Sequence, residues 1–146
     1  MSEALRTVEK AYAYLTRQIG NGTELLVFEE FPESSGLEIP KGTIEDEEIP
    51  REAVVRELRE ETGVSDVQGL RKVTSDRWPH RSKPKEYHRH FFHLSTDHDR
   101  DRWHHVVTGD DDDSGDVYRC FWVPPTEADL TADMDDYLGR LRIATR

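Results

Sequence analysis

The chain has 146 residues, with 31 acidic against 20 basic side chains and a net charge of -11. Such a length allows one domain with a real core, and 34% apolar content suffices for it, while the acidic balance argues against a nonspecific grip on DNA or RNA. Cys120 is the single cysteine, so no intrachain disulfide can form; with neither a signal peptide nor a membrane-spanning run at the amino terminus, a cytoplasmic setting is expected. Only five of the basic residues are lysine and aspartate is abundant, a bias found in salt-adapted and high-GC proteins. There is no internal repeat.

Residues 8–18 alternate, with Ala11, Ala13 and Leu15 on one side and Tyr12, Tyr14 and Thr16 on the other, which predicts a strand with two dissimilar faces. Gly20-Asn21-Gly22 is a turn, and residues 24–28 return as the second strand of a hairpin. Tyr14, beside Tyr12, could stack on a base or pack in the core, and Arg17 is open to the same two readings. Residues 31–36 form a loop that leads into a short strand at 37–39.

The following stretch, residues 42–64, dominates the chain. Pro50 suits the first position of a helix and Gly63 its end, about three turns on. Glu57, Glu60 and Glu61 stand at i, i+3 and i+4, so their carboxylates share one face, with Ala53 on the same side. Val54, Val55, Leu58 and Thr62 form the adjoining face that docks on a core. Three like charges side by side favour a counter-charge, and oxygen-only ligation suits Mg²⁺ or Mn²⁺. A solvated helix, stapled by the i,i+4 pairs Glu52 to Arg56 and Arg56 to Glu60, is the alternative on helix grounds alone.

Gly42 and Glu48 upstream, with Arg56, Glu57, Leu58, Glu60, Glu61, Gly63 and Val64, complete a pattern that residue frequencies would produce on the order of once in a million chains. This resembles the Nudix box, about a sixth of the chain, and the protein resembles a Nudix hydrolase. The resemblance implies an α/β fold, an α/β/α sandwich around a mixed β-sheet, in a single domain over residues 1–146. It implies hydrolysis of a pyrophosphate bond in a nucleoside diphosphate linked to another group. Glu57, Glu60 and Glu61 would bind Mg²⁺ or Mn²⁺, Arg56 would hold a glutamate in place, and Glu48 would brace the loop or touch metal. A phosphoanhydride repels a nucleophile by its charge, so such chemistry calls for cations in any case.

The family pattern also draws attention to Pro40-Lys41-Gly42, which members acting on dinucleoside polyphosphates, capped RNA or diphosphoinositol polyphosphates often carry; Lys41 could meet an outer phosphate. Strands are expected at 67–74 and 87–94, joined by a loop over 75–86. Arg77, Arg81, Lys83 and Lys85 make that loop a basic island, suited to an anionic ligand. Pro79 and Glu86 instead match members acting on ADP-ribose, so the two hints at a substrate conflict. His88, His90, His93, His104 and His105 match no compact zinc motif, and zinc is not expected.

Residues 98–116 read as a solvated loop containing Asp110 to Asp113. By resemblance a further acid comes from a loop before the last core strand; Asp116 is placed there as base or additional ligand, with Asp110 to Asp113 and Glu86 as competitors. A strand is expected at 117–123, with Cys120 in the core, then a helix from Thr126 toward Ile143 whose Tyr137, Leu138 and Leu141 cover the sheet. Homodimers are frequent in this family. The other readings are a nucleotide-metabolite sensor that binds without hydrolysis, although no box carboxylate is missing, and an isoprenoid diphosphate isomerase, for which no suitable cysteine is seen.

Overall fold

A computed structural model describes residues 5–141. β1 (Arg6–Ile19) is the spine of a seven-stranded sheet in the order β4-β5-β1-β2-β7-β6, with β3 also paired to β1. One edge of β1 pairs parallel with β5 (Lys85–Ser95) from Arg6 to Thr16. Its other edge is divided: Thr16 to Ile19 form the hairpin with β2 (Gly22–Phe31), while Lys10 to Tyr12 pair antiparallel with β3 (Lys41–Thr43). The wedge between β2 and β3 brings the residues around Gly42 onto the sheet, so that glycine lies in a strand and the expected strand at 37–39 is reduced to isolated bridges.

The two faces of β1 bury different residues. Ala11, Ala13 and Leu15 join Leu26, Phe28, Phe92 and Leu94 under the helix α1 (Pro50–Thr62), which adds Ala53, Val54 and Leu58. Tyr12 and Tyr14 pack with Leu25, Val27, Ile39 and Phe91 on the opposite face. Alternation with both sides covered explains why every residue from Ala11 to Arg17 is buried. The helix starts at Pro50, where Glu52 reaches back to accept the Ile49 N–H at 3.1 Å. It ends at Gly63, whose φ of 80° closes the turn with an N–H donated to the Arg59 carbonyl at 2.8 Å. Ala53, on the side of the carboxylates, packs wholly in the core.

Three expectations are corrected. β4 (Gln68–Pro79) and β5 absorb most of the expected loop at 75–86, leaving a turn at 80–84. Residues 98–116 contain a further strand, β6 (Arg102–Val106), paired with β7 (Val117–Val123). Trp103 makes that tract part of the core, and its indole donates to the Thr62 carbonyl at 2.8 Å, satisfying one orphan group at the end of α1. Finally, the terminal helix is replaced, among the described residues, by 3₁₀ turns at Pro125–Glu127, Thr131–Asp133 and Leu138–Arg140; Ile143 lies outside them. Ala132 and Asp133 have positive φ, and tertiary contacts hold them there: Asp133 accepts from Trp78 Nε1 at 2.9 Å and gives its carbonyl to Arg89.

Those turns still cover the sheet. Arg89, 1% exposed, forks onto Asp76 at 2.8 and 2.6 Å and reaches Asp136 at 3.1 Å. Tyr14 donates to the Met134 carbonyl, and Leu141 is buried with Tyr137 and Leu138 beside it. No helix among the described residues is long and apolar enough to cross a membrane. Arg89→Met would keep the aliphatic stem but leave two aspartates facing each other without a cation; a loss of about 3 kcal/mol is expected, read as a lower urea midpoint with an unchanged slope.

Candidate active site

β3 crosses the carboxylate face of α1, and contact between them is close. A Cβ on Gly42 would sit 2.0 Å from Glu57 Cδ, so glycine lets the strand pass there without displacing that carboxylate. Arg56 is the hub. Its Nε and Nη2 fork onto Glu48 at 2.8 and 3.0 Å, its Nη1 reaches Glu57 at 2.7 Å and Glu60 at 3.0 Å, and Nη2 also donates to the Thr43 carbonyl. Glu48 is thereby held below its usual carboxylate range, chiefly by the Arg56 hydrogen bonds. It braces the loop at 45–48, accepting the Glu45 N–H as well.

The carboxylates that meet are not the expected trio. Oxygens of Glu57, Glu60 and Asp111 lie within 4.8 Å of one another. Glu61, 3% exposed, turns instead toward β3, where its Oε1 accepts the Lys41 N–H at 2.8 Å. Asp111 arrives on the segment between β6 and β7. That segment is anchored on the end of α1, because the Glu60 carbonyl accepts the Thr108 N–H at 3.1 Å and lies 3.0 Å from His105 Nε2. Asp116 sits exposed at the far end of the same segment, outside the carboxylate group. Asp111, one of the competitors to Asp116, is the aspartate that stands beside Glu57 and Glu60, with Asp113 accepting from Tyr118 at 3.0 Å nearby. The run of four aspartates was the sequence signal for these two; Lys10 and Tyr118 had none.

Burial, reinforced by Asp111, pushes Glu57 up from 4.5 to about 8. Glu60 is raised by burial, and Glu61 well raised by burial with Asp113 adding to it. A buried group of carboxylates that resists ionisation, offering oxygens alone, fits a hard divalent cation such as Mg²⁺ or Mn²⁺.

Beside it lies a cleft of about 420 Å³ lined by Lys10, Lys41, Glu61, Tyr118 and Asp110 to Asp113. Burial would depress Lys41, but Glu61 and Glu38 more than reverse this. Lys10 is lowered by burial and then by Lys41. The remaining sequence candidates stand elsewhere. Tyr14 is wholly buried on the other face. Arg17 is consumed by Glu24, Asp101 and two backbone carbonyls, and stacks on Trp122 at 4.4 Å. Arg77 pairs with Glu86 at 2.6 Å and Arg81 with Asp133 at 3.3 Å, so none of these three lines the cleft.

Two outcomes follow from this geometry. The folded-state pKa of Glu57 is raised, so its contribution to stability is complete below 4.5 and is lost as pH rises through about 8. Wild type should therefore lose Tm relative to Glu57→Gln across that window, at roughly 2–4 °C per kcal/mol, and added Mg²⁺ should restore it most at the upper end; thermal melts with and without Mg²⁺ test this. Gly42→Ala should displace Glu57 and weaken Mg²⁺ binding by about 10–100-fold, measured by calorimetric titration, with the circular dichroism spectrum unchanged.

Comparison with known proteins bears on the fold and the family. A family profile described as the NUDIX domain matches residues 10–141. No curated protein sequence matches significantly. Similar solved structures include a MutT protein from Methanosarcina mazei, with 21% identity, 95% of each chain covered and a TM-score of 0.66. Another is the NUDIX domain of Shewanella oneidensis NrtR complexed with ADP ribose, with 14% identity, 96% and 87% covered and a TM-score of 0.67. An Ap4A hydrolase from C. elegans, in a binary complex, has 20% identity, 91% and 93% covered and a TM-score of 0.61. At these identities the likeness is one of fold. With the profile spanning nearly the whole chain, this protein belongs to the NUDIX family, whose members are pyrophosphohydrolases acting on phosphoanhydride bonds.

Proposed function

We propose that the chain is a hydrolase dependent on Mg²⁺ or Mn²⁺ that cleaves a diphosphate linkage in a nucleotide-derived small molecule. The observation that carries this reading is the convergence of Glu57, Glu60 and Asp111 within 4.8 Å beside a cleft containing two lysines. A divalent cation, when bound, neutralises phosphate charge and lowers the pKa of water. Glu57, Glu60 and Asp111 would hold it, supported by Glu61, which α1 holds against the Lys41 N–H of β3, and by Glu48 from the loop before the helix. Arg56 keeps Glu57 and Glu60 in register through the turnover.

Lys10 and Lys41 act on the substrate. Lys10 is lowered by burial and then by Lys41, while Lys41 already pairs with Glu38 at 2.6 Å, so an anionic phosphate in the cleft gives Lys10 in particular a counter-charge. Asp111, on a segment rather than on the helix, is the group best placed to take a proton from water, in the role expected of Asp116. A nucleoside diphosphate linked to a second group suits a cleft of about 420 Å³ that carries two lysines, and the ADP ribose and Ap4A of the similar structures belong to that class. The buried thiol of Cys120, pushed up to about 12 by burial, suits a reducing cytoplasm but cannot serve an isomerase.

The test is product release from ADP-ribose, nucleotide sugars, dNTPs, dinucleoside polyphosphates and 5′-triphosphorylated RNA, with Mg²⁺, Mn²⁺ or EDTA. Metal-dependent cleavage of at least one is expected, and Glu60→Gln should lower kcat by roughly 100-fold or more with the fold intact. A nucleotide that raises the Tm yet is never cut would put the sensor reading ahead.

A further inference from the structure

Where β1 and β5 begin, the sheet face that lies under α1 continues as polar residues. Glu9 and His88 are partners in the parallel register, and His90, two residues on, projects from the same face. One Glu9 oxygen lies 3.0 Å from His88 Nδ1 and 2.9 Å from His90 Nε2, and the other lies 3.1 Å from His88 Nδ1. All three donor atoms fall within 4.8 Å of one another.

The nitrogen that His90 turns toward the group is Nε2. His90, with its side chain 9% exposed, has its Nδ1 buried without a partner among the described residues. If the proton sits on Nε2, the Nδ1 lone pair is stranded. If it sits on Nδ1, the Nε2 lone pair faces the Glu9 carboxylate, the arrangement in which both can ligate one cation. Arg77, opposite His88 on β4, does not supply it, because it pairs with Glu86.

We propose that Glu9, His88 and His90 form a second metal site, separate from the glutamate cluster and selective for Zn²⁺ over Mg²⁺. Two imidazoles and one carboxylate are a borderline-soft set with three protein ligands and one open position. Glu9 and His88 leave that position open to solvent, being 48% and 28% exposed. The ion would join β1 to β5 at the start of their parallel pairing. Local spacing gave no hint of it because the third ligand stands 79 positions before His88.

The experiment is calorimetric titration of the full chain with ZnCl₂ in saturating Mg²⁺, which keeps the glutamate cluster occupied. One Zn²⁺ per chain should bind with a Kd at or below about 1 μM. His88→Gln, at a half-exposed position, should weaken it at least about tenfold, while Glu60→Gln should leave it unchanged. The imidazole ¹⁵N resonances of His88 and His90 should move with Zn²⁺ and those of His104 should not. Absence of a Zn²⁺ equivalent under Mg²⁺, or a loss of binding in Glu60→Gln with none in His88→Gln, overturns the proposal.

Discussion

The arrangement depends on one guanidinium. Glu48, Glu57 and Glu60 would not share a patch without Arg56, which touches all three and also holds the Thr43 carbonyl of the strand above. Because its fork is planar and permanently charged, it fixes directions as well as neutralising charge. A lysine there could neutralise one carboxylate but could not hold three in register. Even so, the balance is incomplete: burial still raises Glu57 and Glu60 above their ordinary range, which leaves the site wanting a cation of higher charge density.

The two sheet faces divide the work. On one, α1 presents carboxylates that meet β3 and the segment carrying Asp111. On the other, Arg89 does for the C-terminal turns what Arg56 does for the site, gathering Asp76 and Asp136 around a buried fork. The same device thus serves chemistry on one side and docking on the other. Burial of Tyr14 and Arg17 follows from this division, since both faces of β1 are covered over that stretch.

Local signals made α1 legible: Pro50 and Gly63 mark its ends to the residue, and the i, i+3, i+4 spacing of glutamates marks its face. Residues 117–123 and the two faces of β1 were legible from alternation. β6 was hidden because Trp103 and Val106 sit among aspartates and histidines, and their pairing with β7 is what makes them strand-like. The C-terminal helix failed for the converse reason: its pattern was plausible, but Trp78 and Arg89 bind Asp133 in a left-handed backbone that no helix contains. In the site, Glu57, Glu60, Arg56 and Glu48 were readable because they share a short stretch. Asp111 was one of four adjacent aspartates, and which one faces Glu57 is decided by where β6 anchors its segment.

The parallel pairing of β1 with β5 has a bearing on folding order. β2, β3, α1 and β4 all lie in the chain between those strands, so this pairing closes a long loop before it returns any contacts. The β1–β2, β4–β5 and β6–β7 hairpins and α1 itself need only near neighbours. The candidate site, by contrast, draws Lys10 from β1, Lys41 from β3 and Asp111 from the last hairpin, so the chain can hold most of its secondary structure while those groups are still apart. Pairing of β3 with β1 and anchoring of the segment after β6 on α1, rather than formation of the helix alone, bring those groups together.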